Sequence, residues 1–241
     1  LALALRPWRA RRRPRLPAHP CPRPRHADGR ARLPLTCRSN AIGDSGAAGI
    51  GGAVRTHAAV EILNLEDNGI GDAGASALGA DLCTNSSLVV LDLSANHIGD
   101  AGAVSLARAI ASGTSFLEVL VLAHNMVSDK GVEALANALL ETPALSELDL
   151  RANRVFDDGM RALSRVLHLS PTLTHLNLSE NGVTDEGAIT LARALKAQGR
   201  LSVVGSMRNL FGDPTADPTP NVTHNYGSWA GADGLRRAES R

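Results

Sequence analysis

The sequence predicts an α/β solenoid, a curved stack of similar units with a parallel sheet on its concave face and helices on its convex face. Three observations carry that prediction. Asparagine recurs in phase at Asn40, Asn68, Asn96, Asn125, Asn153, Asn181 and Asn209, spaced 28, 28, 29, 28, 28 and 28 residues apart. A fixed period in this range marks stacked repeats. Leucines precede the five central asparagines, Asn68 to Asn181, at alternate positions, as Leu91 and Leu93 do among Val90, Asp92 and Ser94, the period of a short strand with leucine inward. A segment with apolar residues four apart follows, as in Leu78/Leu82, Leu106/Ile110, Leu135/Leu139, Leu163/Leu167 and Leu191/Leu195, the stripe of a helix packed on one face.

Residues 1–34 form a leader rich in Arg, Pro and Ala, centred on Arg11-Arg12-Arg13-Pro14-Arg15, with neither period. Residues 1–35 hold ten Arg and one acid, residues 36–213 hold twelve basic and twenty acidic residues, and the remainder balances at three each. Three readings of the leader stay open. It is a disordered segment, an organellar transit peptide, or a nuclear-localisation or nucleic-acid-binding arm. The chain begins at Leu1 rather than Met, as a fragment does. Leu1-Ala-Leu-Ala-Leu5 is too short for a secretory core or a membrane span.

Residues 35–213 are the repeat domain, about six to seven units of 28–29 residues. In the first unit Asn40, Ile42, Gly43, Asp44 and Gly46 fit the pattern, but Cys37 stands where leucine is expected. Its helix carries Gly46, Gly49, Gly51 and Gly52, each costing up to about 1 kcal/mol against Ala, so this unit is expected to fray. Five regular units follow, and the extra residue falls in a loop near Ser112–Ser115, where insertions are tolerated. Within a unit, the asparagine is expected to satisfy backbone groups of the turn, forming a ladder through the stack. Asp100 reads as the N-cap of its own helix, and Asp44, Asp72, Asp129, Asp157 and Asp185 hold the same place. Ala75, Ala103 and Ala188 let the helix approach the strand layer. The last copy has Leu201, Val204, Asn209, Phe211, Gly212 and Asp213, and Pro214 stops it before a helix. Residues 214–241 lack a period and read as a disordered tail, with Tyr226 and Trp229 as the residues of an alternative partial cap.

This pattern resembles the leucine-rich repeat, and within it the ribonuclease-inhibitor-like class, on Leu63, Leu65, Asn68 and Ile70 in one copy and Leu145, Leu148, Leu150, Asn153 and Val155 in another. It is also similar to the repeats of the Ran GTPase-activating protein and of NOD-like receptors. The resemblance implies a leucine-rich-repeat horseshoe and a non-enzymatic scaffold that binds a protein partner. Two alternatives follow from the same likeness. One is GTPase activation of a small Ran-like GTPase, which acts by positioning the GTPase's own groups. The other is the sensing fragment of a NOD-like receptor, although no nucleotide-binding segment is present.

No catalytic, metal or cofactor site is expected. Cys21, Cys37 and Cys83 lack metal spacing, and scattered thiols fit a reducing compartment. No phosphate loop, His-Glu-x-x-His or Gly-x-Ser-x-Gly occurs. The sequons at Asn85, Asn177 and Asn221 read as coincidence. A cytoplasmic location is expected, nuclear or organellar if the leader is a targeting segment. The acidic repeats disfavour nucleic acid, and neither a small-molecule substrate nor a membrane is expected.

The candidate protein-binding surface is the concave sheet. Positions alternating with the inward leucines are Ile62, Asn64 and Glu66; Val90, Asp92 and Ser94; Val119, Val121 and Ala123; Glu147, Asp149 and Arg151; and His175, Asn177 and Ser179. Val90, Val119, Val121 and Ala123 read as an exposed apolar spot rimmed by Asp92, Glu147 and Asp149, the pattern of a partner site, or as β-branched residues that merely suit strands. Arg108, Arg165 and Arg193 share one helical position and read as a solvated convex face.

Overall fold

Leucines that meet every 28 or 29 residues need a sheet in which each strand pairs with the next copy of itself. The computed structural model describes residues 33–57, 59–112, 116–141, 144–167, 169–170, 172–198 and 203–204. Seven strands, β1 (Leu33–Thr36), β2 (Val60–Asn64), β3 (Val90–Asp92), β4 (Val119–Val121), β5 (Glu147–Asp149), β6 (His175–Asn177) and β7 (Val203–Val204), pair in sequential order. Every pairing is parallel. Leu63, Leu91, Leu120, Leu148 and Leu176 stand in one register row, each 0 % exposed. The 29-residue step between Leu91 and Leu120 takes the extra residue without shifting the row. β1 begins at Leu33, two residues before the predicted boundary.

Between the strands run α1 (Gly43–Thr56), α2 (Asp72–Leu82), α3 (Asp100–Ala111), α4 (Asp129–Glu141), α5 (Asp157–Leu167) and α6 (Asp185–Gln198). Each packs on its sequence neighbour. Packed helices need about 8–10 Å and strands only about 4.8 Å, so the stack curves with the sheet inside. The pairs Leu78/Leu82, Leu106/Ile110, Leu135/Leu139 and Leu163/Leu167 are buried in one continuous core. Ala75 and Ala103 are fully buried. The glycine-rich α1, expected to fray, forms a fourteen-residue helix. Gly51 is the reason it seats: a Cβ there would stand 2.8 Å from Asp81 Oδ2 and 3.3 Å from Leu78 Cδ2. Asn209, the end of the last copy, the tail, Cys21 and Asn221 lie outside the described residues.

The asparagines bind across units. Asn96 Oδ1 accepts the N–H groups of Asn68 (3.1 Å) and Ile70 (2.9 Å), both in the preceding unit. Its Nδ2 donates to the carbonyls of Leu65, Leu93 and Ser94. Asn181 does the same for Asn153 and Val155, and Asn68, Asn125 and Asn153 each accept at least one N–H from the unit before. The Asn40 side chain donates to the Cys37 and Arg38 carbonyls of its own turn. Before each asparagine the backbone is left-handed, at Ser39, Asp67, Ala95, His124, Ala152 and Glu180, with φ of 52–58°. None is glycine, so each turn carries strain of roughly 1–2 kcal/mol that the ladder holds in place.

The aspartates do not cap their own helices, which corrects the expectation for Asp44, Asp72, Asp100, Asp129 and Asp157. Each is the first residue of its helix or close to it, and its carboxylate reaches the next one. Asp72 Oδ1 accepts from Gly99 N (2.7 Å) and Gly102 N (2.8 Å). Asp44 binds Gly71 and Gly74, Asp100 binds Ser128 and Gly131, and Asp129 binds Phe156 and Gly159. Asp157 accepts from the amide and hydroxyl of Thr184. The free N–H groups and positive end of each helix from α2 to α6 thus meet a carboxylate of the preceding unit. For Asp185 the following unit lies outside the described residues.

This contact explains the glycine two residues after each aspartate. A Cβ on Gly102 would stand 2.8 Å from Ile98 Cγ2, 2.9 Å from Ala75 Cβ and 2.9 Å from Asp72 Oδ1. Gly102→Ala is expected to lower stability by about 2 kcal/mol, as overpacking does. A Gly49→Ala control, where nothing lies within 4 Å, should gain up to about 1 kcal/mol. Chemical denaturation of the two variants checks both signs.

Candidate functional site

The concave face is built from three register rows that alternate with the inward leucines. The first holds Ile62, Val90, Val119, Glu147 and His175, and the second Asn64, Asp92, Val121, Asp149 and Asn177. The third, just past the strands, holds Glu66, Ser94, Ala123, Arg151 and Ser179.

In the second row the side-chain oxygen of each polar residue accepts the amide two residues on. Asn64 takes Glu66 N, Asp92 takes Ser94 N, Asp149 takes Arg151 N and Asn177 takes Ser179 N, at 2.8–3.1 Å. This is an Asx turn that ends the strand. Asn64 Nδ2 also donates to Asp92 Oδ2 at 3.1 Å. The row therefore reads amide, carboxylate, valine, carboxylate, amide. Asp92 and Asp149 are each 3 % exposed. Burial raises both carboxyls above the ordinary range, against the hydrogen bonds that favour the charged form. Asp149 is pushed up to about 6.

The apolar spot is not exposed. Val90, Val119, Val121 and Ala123 are 2–7 % exposed and pack with Ile62 into a second, smaller cluster. Parallel neighbours only about 4.8 Å away on a surface that curves inward leave these side chains little water. Asn64 and Asn177 are likewise buried. The accessible part of the predicted surface is Glu66, Ser94, Glu147, Arg151 and His175. Burial raises the Glu66 carboxyl, against Arg38, which lowers it.

Charge on this side is lopsided. Six carboxylates, Glu66, Asp67, Asp92, Glu147, Asp149 and Glu180, stand on the three rows and the turn after them, against Arg38 and Arg151. Arg38 pairs with Glu66 at 3.0 Å and Arg151 with Glu180 at 2.7 Å. His175 Nδ1 lies 3.9 Å from Glu147 Oε1.

On the convex side a groove of about 1020 Å³ crosses α4, α5 and α6, lined by Lys130, Arg161, Arg165 and Arg193 and equally by Asp129, Glu133 and Asp158. Arg161 is engaged by Asp158 and Glu186. Arg108, Arg165 and Arg193 are exposed. Among the described residues no group of His, Cys, Asp and Glu could hold a metal, and no helix is long and apolar enough to cross a membrane. Cys37 and Cys83 are half-buried. Asn85 and Asn177, both in sequons, are 4 % exposed.

Sequence reasoning missed the left-handed turn residues and the forward reach of the aspartates. The constant Asp-x-Gly spacing was the available signal for the second.

A family model described as a leucine rich repeat matches residues 60–79, 84–107, 115–136 and 169–192. A solved structure titled "Leiomodin-1 Actin-Binding Site 2 (ABS2)" is 17 % identical, with 65 % of this chain and 73 % of that chain covered and a TM-score of 0.38. No curated protein matches.

Proposed function

Because the chain is an α/β solenoid of leucine-rich repeats, we propose that it is a non-enzymatic interaction scaffold that holds a protein partner on its concave face. Repeats of this kind generally mediate protein–protein interaction. The observation that carries the site is the unequal chemistry of the two faces. The sheet side offers a firm floor of buried valines and Asx turns with acidic and basic side chains rising from it. Such a surface is broad, rigid and already desolvated at its centre, so a partner loses little ordering entropy on docking. We assign the units to the ribonuclease-inhibitor-like class on their 28–29-residue length and full helix. A cytoplasmic location belongs to the same proposal.

The test is capture from a cell extract with the whole chain as bait, identified by mass spectrometry. Val121 is too buried to probe binding, since an arginine there would disturb the sheet itself. The informative variant is Glu147→Lys with Arg151→Glu, whose side chains are 16 % and 44 % exposed. A protein retained by the wild type and lost by this variant supports the concave site. Identical retention by both moves the site elsewhere.

A further inference from the structure

We propose that Asn68 is a site of spontaneous deamidation, gated by the docking of the first repeat unit, residues 33–57. Asparagine is chemically labile, most so before glycine, which has no side chain to hinder attack by its own N–H. The chain holds two such pairs, Asn68-Gly69 and Asn181-Gly182, and both asparagines belong to the ladder. In the reaction the Gly69 nitrogen attacks Asn68 Cγ and loses its proton. The new C–N bond closes a cyclic imide, and Nδ2 leaves as ammonia. Water then opens the ring at either carbonyl, giving aspartate or isoaspartate. No electrons are gained or lost.

Two pairs alike in sequence differ in the fold. The Asn181 side chain holds the N–H groups of Asn153 and Val155 and the carbonyls of Leu150, Leu178 and Ser179. The attacking nitrogen there is also engaged, since Gly182 N donates to Val155 O at 2.8 Å. Asn68 Oδ1 accepts Asn40 N at 3.2 Å, and its Nδ2 donates to the Cys37 and Glu66 carbonyls at 3.0 Å. Gly69 beside it is exposed. Asn68 itself is 1 % exposed, and it cannot turn Cγ toward Gly69 without giving up these bonds. Two of the three go to the first unit, which is the one most easily released. Its β1 is the edge strand, and the N-terminus of α1 has no side-chain cap. Leu35, Cys37, Ile42 and Ile50 are only partly buried, where their counterparts one period on, Leu63, Leu65, Ile70 and Leu78, are 0–1 % exposed. An end unit with fewer buried contacts opens first.

Conversion then acts on the fold. A carboxylate at position 68 has no N–H to offer, so the Cys37 and Glu66 carbonyls meet negative charge in place of a donor. Isoaspartate also routes the main chain through the side-chain carbon. Either product hinders the first unit from seating again, and the loss accumulates with age.

The test is to age the whole chain at mildly alkaline pH and to follow, by mass spectrometry of its proteolytic peptides, the fraction of each asparagine turned to acid. Free peptides of residues 63–74 and 176–187 give the unprotected rates. Asn68 is expected to react about thirtyfold more slowly than its peptide, and Asn181 about tenfold more slowly again, factors set by the open fraction at each site. Asp44→Ala removes the carboxylate that ties the first unit to the Gly71 and Gly74 amides. It should bring Asn68 to within about threefold of its peptide while Asn181 stays slow. Gly74→Ala, whose Cβ would stand 2.9 Å from Asp44 Cα, loosens the same junction by another route and should do likewise. Hydrogen exchange in α1 should quicken in the aged protein and in Asn68→Asp. The proposal is overturned if Asn181 reacts as fast as Asn68, if Asn68 reacts at its peptide rate in the wild type, or if both variants leave its rate unchanged. Equal acceleration of the two asparagines in both variants also overturns it, since the opening would then be global.

Discussion

Asn96→Ala is expected to lower the unfolding free energy by about 3–5 kcal/mol. The side chain is 4 % exposed and holds five backbone groups, two N–H and three C=O. Alanine leaves the amides of Asn68 and Ile70 buried and without that acceptor, each at about 1–3 kcal/mol. It also releases a turn whose Ala95 is held at φ 53°. Asn40→Ala is the comparison. Asn40 is exposed and its side chain holds two carbonyls of its own turn, so its loss should cost under about 1 kcal/mol. Equal losses in urea denaturation would mean that the ladder contributes within turns and not between units.

The second large effect is a pH dependence centred on Asp149. Its folded-state carboxyl is raised to about 6 from an ordinary 3.8, so the folded chain binds its proton more tightly than the unfolded chain does. The associated stability is fully present below about pH 4 and is lost as pH rises through about 6. The whole swing is at most about 3 kcal/mol, two units at roughly 1.4 each. Buried Asp92 works in the same direction. The capping aspartates oppose it at lower pH. In Asp100 and Asp157 partial burial raises the carboxyl, but the hydroxyls and amides of Ser128, Gly131, Thr184 and Gly187 overcome this and lower it. Their contribution is present above the ordinary carboxylate range and disappears as pH falls through their depressed values. The chain should therefore be more stable near pH 5 than at pH 7, and less stable again below about pH 4. Asp149→Asn should be more stable than the wild type at pH 7 and flatter between pH 5 and 7. Asparagine fits, since Asn64 and Asn177 already make the same turn in the same row. Thermal melting across pH shows it, and parallel profiles for the two proteins would rule it out.

What the sequence showed and what it hid follow from the same geometry. Strand, helix and inward leucine are local patterns, so Leu91, Leu93 and Leu106 announce themselves. Asp72 was recognised as a helix-terminal acid and given to the wrong helix. Its partners Gly99 and Gly102 lie 27 and 30 residues away, a distance no local pattern spans. Ala95, His124 and Glu180 share a left-handed backbone but no chemistry, so nothing in their identity marks the turn. Val121 was placed on the correct side of the sheet. Alternation tells which way a side chain leaves the strand, not how much water reaches it. The shifted carboxyl of Asp149 was out of reach for that reason.

The two sets of cross-unit bonds run in opposite directions along the chain. The aspartates from Asp44 to Asp157 serve the helix that follows, and the asparagines from Asn68 to Asn181 serve the turn that precedes. Removing a unit from the middle and joining its neighbours restores both sets, because the new junction has an aspartate before it and an asparagine after it. Removing half a unit restores only one. Single residues can enter the loop after a helix, as the 29-residue step from Leu91 to Leu120 shows, but between an aspartate and the groups it serves length changes by whole periods if no buried amide is to be stranded at the seam.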